Sequence, residues 1–234
     1  QVRICAGDAR QRAFLPRHPM GERGGRHLYE FAKNAPMGLY DFLGLLSVTT
    51  VYEYDVLSAL MQHTPDGGRA AAQARIAEWQ FNRDRESCGL SMKKRFKNYN
   101  PVVTIEIWVS DITTPVMNSS NGGLLGYSFL EHEEHHAELH EDNANKLDAA
   151  ISPYIGECFC PACFAAIDAY LSALESFYEL KDQHDNMEFD CADYPAGDNK
   201  AGACGYAVAL ANSLFSQWYT TLAPAWAAMM AACP

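Results

Sequence analysis

Long apolar runs are missing from this 234-residue chain: the longest, Leu222 to Ala232, holds eleven residues and includes Pro224. A membrane-spanning helix needs about 18 or more, so the pattern predicts a soluble chain. Positive charge is scarce over most of the length. No arginine follows Arg95, and residues 99–234 set only Lys146, Lys181 and Lys200 against 19 carboxylates. Such an acidic body repels phosphates, which argues against nucleic acid as a partner. Internal repeats are absent, as is any low-complexity tract beyond one His/Glu run. There is no initiator Met and no apolar leader. The chain starts at Gln1, as a mature product does once its signal peptide has been removed.

What is present is the composition of a globular protein, 48% apolar and 20% charged. Eight cysteines (Cys5, Cys88, Cys158, Cys160, Cys163, Cys191, Cys204 and Cys233) run from one end to the other. An even count spread this way predicts a disulfide framework in an oxidising compartment. As thiolates, Cys158, Cys160 and Cys163 with Cys191 could instead hold zinc, and Cys160-Pro-Ala-Cys163 could be a redox pair. No thioredoxin-like βαβ pattern surrounds them, and structural disulfides account for all eight. Asn118-Ser119-Ser120 is a glycosylation sequon in a polar, turn-rich segment. These features predict a secreted, extracellular glycoprotein.

Charge is divided unevenly, with a net of +5 over residues 1–98 and −16 over residues 99–234. Residues 1–26 carry Arg3, Arg10, Arg12, Arg17, Arg23 and Arg26 among prolines and glycines without a period, which reads as an extended basic arm. Residues 27–234 then form one disulfide-stabilised α+β domain, helix-rich in its second half, with a small sheet. Two short helical pieces are expected over His27–Leu46, a strand over Ser47–Tyr54, a short helix from Asp55 to His63 and a turn over residues 64–68. A helix is expected over Arg69–Arg83. Val102 to Val109 alternates as a half-buried strand does. Pro161 opens a helix to about Lys181, and Cys191 and Cys204 close the polar loop beyond it. Helices over Gly205–Tyr219 and Ala225–Ala232 finish the chain.

The richest chemistry lies between Glu131 and Asp142, where four histidines and six carboxylates share twelve residues. His132-Glu133-Glu134-His135-His136 has the HExxH pattern. On a helix its two histidines lie one turn apart on one face, where they could offer two nitrogens to a metal such as zinc, with Glu133 placed to hold or deprotonate a water. A stripe of Phe129, His132, His136, Leu139, Asn143, Leu147 and Ala150 puts the large apolar residues on the same face. His140, one turn beyond His136, and Asp142 are further candidate ligands. A ligand from elsewhere could be His184, Asp185, Asp190 or Asp193. The same run is also what a solvated acidic helix with interspersed histidines looks like. Gly126-Tyr127-Ser128 lacks the second glycine of a nucleophile elbow, so acyl transfer has no support.

Met92–Ile112 followed by Gly122–Phe129 (MKKRFKNYNPVVTIEIWVSDI and GGLLGYSF) resembles the strand-and-loop region before the zinc helix of pappalysin-like metzincin peptidases. The resemblance implies zinc on His132 and His136, a third ligand at Asp142, and Glu133 as the general base for peptide hydrolysis. The chain departs from that family at Leu139, where the family has glycine, and it lacks an edge strand between the GYSF-like segment and the helix and a downstream methionine turn.

Three functions fit these features. The first is a non-catalytic extracellular assembly protein, whose basic arms and acidic bodies attract one another head to tail in a homo-oligomer. The second is a zinc metallopeptidase using Glu133 as its catalytic residue. The third is a secreted receptor-binding or toxin-like protein.

Overall fold

The computed structural model describes residues 46–54, 72–89, 92–109, 115–117, 124–194 and 198–233. The basic arm with Cys5, the expected elements over 27–45 and 55–68, and the sequon at Asn118 lie outside these residues. The fold is α+β and helix-rich, with small sheets and, among the described residues, three disulfides.

Among the described residues seven strands precede the helices: β1 (Ser47–Tyr54), β2 (Ala72–Gln80), β3 (Arg83–Ser87), β4 (Lys94–Tyr99), β5 (Val102–Val109), β6 (Pro115–Met117) and β7 (Leu124–Ser128). The alternation over β5 does what its pattern predicts: Val103, Ile105, Ile107 and Val109 are buried and the residues between them half-buried. Burying each of those side chains contributes about 1.5–3 kcal/mol. As the central strand, β5 must satisfy its backbone on both edges. It pairs parallel with β1 on one side and antiparallel with β2 on the other, giving the order β1-β5-β2.

That demand explains a correction. In the stretch expected as a helix over Arg69–Arg83, the described residues form strand β2 and the start of β3, because a partner for β5 outweighs the weak helical preference of alanine. Ala72, Ala74 and Ile76 share a face with their partners Val109, Ile107 and Ile105. Strands β3 and β4, which their charged residues hid, form a hairpin. Phe96 of β4 is fully buried and stacks on Phe164 with ring centroids 4.5 Å apart.

Helix α1 spans Phe129–Ile151 and is opened by a capping box: the Ser128 side chain accepts from the Glu131 N–H and the Glu131 carboxylate accepts from the Ser128 N–H. After a 3-10 turn at Ser152–Tyr154, α2 spans Pro161–Asp193. It continues three turns beyond the expected end at Lys181. Its polar continuation shows no apolar period because its buried partners are polar side chains of α1. Helix α3 (Asp198–Gln217) passes through a π turn (Trp218–Leu222) into α4 (Ala223–Ala232). The wider turn takes up Pro224, which lacks an N–H and crowds the carbonyl four residues back. After Lys200 this run carries no Asp, Glu, Lys, Arg or His. Phe215, Tyr219 and Trp226 are exposed on it. No helix among the described residues is long and apolar enough to cross a membrane.

Disulfides join Cys88 to Cys158, Cys163 to Cys233 and Cys191 to Cys204. They tie the β3–β4 hairpin to the segment before α2, the start of α2 to the chain's end, and the end of α2 to α3. These pairings rule out the thiolate zinc cluster and the Cys160–Cys163 redox pair, since Cys158, Cys163 and Cys191 each have a different partner. Cys160 is half-buried.

Replacing Ser128 by Ala removes one half of the box that starts α1 and is expected to cost about 1 kcal/mol of stability. Urea unfolding of the two proteins measures it as a shift in midpoint at unchanged slope.

Candidate metal centre

Helix α1 lies between the sheet and α2, so more of its circumference is buried than a single stripe predicts. His132, His136, Asn143 and Leu147 of the expected face are buried, but so are Glu133, Ala137, His140, Ala144 and Asp148, while Leu139 and Ala150 are only half-buried. The two helices run antiparallel. Residues one turn apart on α1 therefore meet residues one turn apart on α2 in reverse order: His132 faces Asp190 and Asp193, His136 faces Asn186 and Asp190, and His140 faces Asp182.

At one point along this seam three donor atoms converge. His132 Nε2 and His136 Nε2 are 3.2 Å apart, and Asp190 Oδ1 is 3.4 Å from the first and 3.1 Å from the second. All three residues are buried. For ligand bonds of ~2.0–2.1 Å, the edge of a zinc tetrahedron is about 3.3 Å. The triangle thus has the size of one face of such a tetrahedron, and the donor set of two imidazoles and a carboxylate suits zinc. The Nδ1 of His136 is engaged by Asn186 Oδ1 at 2.7 Å. Unless a proton or a metal ion lies among the three atoms, two nitrogen lone pairs and a carboxylate oxygen face one another.

Electrostatics agrees. Burial alone would lower the His136 pKa, but the hydrogen bond to Asp190, its charge and that of Glu133 outweigh it and hold the imidazole above its ordinary value. Burial would likewise raise Asp190, yet hydrogen bonds from His132 and His136 keep its carboxyl below the usual range. Both shifts favour a proton shared with His136, which a metal ion would have to displace.

Glu133 is buried on the side of α1 turned to the sheet, where its Oε2 accepts the Ala74 N–H of β2. Burial is the foremost influence on its carboxyl and pushes it above the ordinary range, against the pull of His136, His132 and the Ala74 N–H. Aromatic rings surround His132: Phe189 stacks at 5.0 Å and Tyr127 at 6.4 Å. The Tyr127 hydroxyl donates to Asp193, whose Oδ2 is 3.6 Å from His132 Nδ1.

Of the residues expected as ligands, the structure brings His132 and His136 together and leaves His140 and Asp142 elsewhere. His140 Nδ1 is bound to both oxygens of Asp182, at 2.9 and 2.8 Å. Asp142 is exposed and paired with Lys146. The reason is helical rise: at 1.5 Å per residue, His140 and Asp142 stand about 12 and 15 Å along the axis from His132. With Leu139 in place of a glycine, α1 runs on unbroken and Asp142 cannot turn back. The third converging group comes from α2 instead. Asp190 was one of four candidates that spacing could not separate. His184, Asp185 and Glu188 form another acidic group on α2, but Asp185 is already held by Lys181 and Asn143. A groove lined by Trp79, Phe81, Arg83, Ser172, Glu175 and Glu179 shares no residue with the centre, and its half-buried Arg83 is paired with Glu175.

Comparison of the chain with protein-family models, with curated proteins and with solved structures finds no match.

The raised His136 and lowered Asp190 define a pH window. Below the ordinary histidine value of about 6.5, the His136–Asp190 pair contributes fully to the stability of metal-free protein, down to the acid range where Asp190 takes up a proton. As pH rises through the raised value of His136, that contribution is lost. Thermal melts of chelator-treated protein should therefore show the transition falling over this upper range, and added zinc should reverse the trend. A transition that ignores zinc at every pH would contradict this account of the centre.

Proposed function

We propose that the chain is a zinc-dependent hydrolase acting on peptide bonds. The observation that carries this reading is the convergence of His132 Nε2, His136 Nε2 and Asp190 Oδ1 at zinc-ligand spacing, next to the buried carboxylate of Glu133. His132, His136 and Asp190 would hold the ion, which when bound acts as a Lewis acid on a carbonyl and makes water a better nucleophile at neutral pH. Glu133 is the general base: with Oε2 fixed by the Ala74 N–H, Oε1 can take a proton from the attacking water and return it to the departing amine. Burial raises this carboxyl, which makes it a stronger base toward the water than an exposed carboxylate.

A peptide is favoured as the substrate by the strand beside the site. Ala74 is in register with Ile107, yet its N–H goes outward to Glu133 rather than to β5. Among the described residues no strand borders that outer edge of β2. An extended chain laid along it would gain backbone hydrogen bonds within reach of the centre. The resemblance of residues 92–129 to pappalysin-like metzincins points to the same chemistry. The outer strand here, however, precedes that region in sequence, and the third ligand is Asp190. Disulfides are compatible with an extracellular setting. The head-to-tail assembly reading rests on the charge split and on residues 1–26, outside the described residues, and nothing in the described geometry favours it over hydrolysis.

Metal analysis of purified protein should give one zinc per chain, with peptide cleavage abolished by a chelator and restored by zinc. Glu133→Gln should keep the zinc and lower kcat by roughly 10²–10⁴-fold. It should not destabilise the fold at neutral pH: a carboxyl whose folded pKa is raised loses stability as pH climbs past about 4.5, and the neutral amide escapes that loss. Zinc-free, inactive protein under all loading conditions would sink the hydrolase reading.

A further inference from the structure

We propose that Asn186 is a positioning residue that fixes the tautomer and the ring orientation of His136, so that its Nε2 lone pair is aimed at the metal; this deepens the hydrolase reading and rests on it. The inference follows from a short chain of contacts whose directions are forced one by one. The Asn186 side chain is buried between α1 and α2. Its Nδ2 donates to the backbone carbonyl of Asp182, 2.8 Å away. A carbonyl can only accept, so the amide nitrogen must be the atom turned toward it. The amide oxygen is thereby turned to His136, where it lies 2.7 Å from Nδ1. An amide oxygen can also only accept, so Nδ1 must carry hydrogen. A neutral His136 is then left with its lone pair on Nε2, the atom 3.1 Å from Asp190 Oδ1 and 3.2 Å from His132 Nε2.

The side chain's neutrality fits the position as well. Asn186 sits one turn from Asp182 and one turn from Asp190 on α2, both buried. An aspartate there would add a third buried carboxylate and would face the Asp182 carbonyl with an acceptor. His132 is held by different means. Its Nδ1 has no hydrogen-bond partner, with Asp193 Oδ2 at 3.6 Å, and its ring lies against Phe189 and Tyr127. Of the two imidazoles, His136 is the one whose Nδ1 is aligned by a hydrogen bond, and the loss of Asn186 should therefore be felt there.

Asn143 provides an internal comparison. It is a fully buried amide on the same seam, bonded to Asp182 and Asp185, and it touches none of the three converging residues. Zinc affinity is measured by competition with a chromophoric chelator for the native protein, Asn186→Ala and Asn143→Ala. The expected result is a roughly 10- to 100-fold weaker affinity for Asn186→Ala and native affinity for Asn143→Ala, which should lose only thermal stability. Cobalt-loaded Asn186→Ala should also show a shifted visible absorption spectrum. If Asn186→Ala binds zinc as tightly as the native protein, or if Asn143→Ala weakens binding equally, the positioning role is overturned while the hydrolase reading stands. If the native protein itself takes up no zinc, both fall. A readout that needs no variant guards against misfolding: in histidine-labelled, zinc-loaded native protein, long-range nitrogen–proton spectra should show His136 protonated at Nδ1. Protonation at Nε2 would overturn the assignment.

Discussion

The rest of the structure depends on a buried polar seam between two antiparallel helices. Along it, His132, His136, His140 and Asn143 of α1 meet Asp190, Asn186, Asp182 and Asp185 of α2. Burying polar groups without partners costs several kcal/mol each, so such a seam is tolerable only when both helices hold their register. Helix α2 is itself held at both ends by covalent bonds to the helices that follow it. Cys163–Cys233 ties its first turn and Cys191–Cys204 its last, the latter next to Asp190. The apolar half of the interface, with Leu147 and Ile151 of α1 and Ile167, Leu171 and Leu174 of α2 in one core, supplies the favourable burial that the polar half cannot.

The sheet contributes rigidity and one directed group. Strand β5 anchors α1 through its buried Val/Ile face, and β2 places the Ala74 N–H against Glu133. That contact fixes one oxygen of a carboxylate that burial has made costly to ionise. A buried Glu next to two imidazoles is a poor choice for stability and, in the proposed hydrolase, a good one for moving protons. The centre is built wholly on helices and a strand, elements that hold side chains more tightly than loops do.

Much of this was legible in the sequence where one residue pattern meets one neighbour. The alternation of Val103 to Val109 and the Cys191–Cys204 closure read correctly, because each is decided locally or by a strong period. The pair His132 and His136 read correctly as one face of a helix. Strand β2 misread because its alanines have no strong preference and β5 decided the matter. The last three turns of α2 misread because periodicity detects apolar faces, and this face is polar and matched to a polar partner.

By itself the sequence determined that a helix would present two imidazoles and a carboxylate within one turn, since a fixed helical period follows from the backbone alone. Only the tertiary structure decided that they have a third companion. Asp190 is 54 residues beyond His136. No spacing rule links them, because their meeting depends on the antiparallel register of α1 and α2. That register is set by packing in the core the two helices share, from residues distributed over the chain.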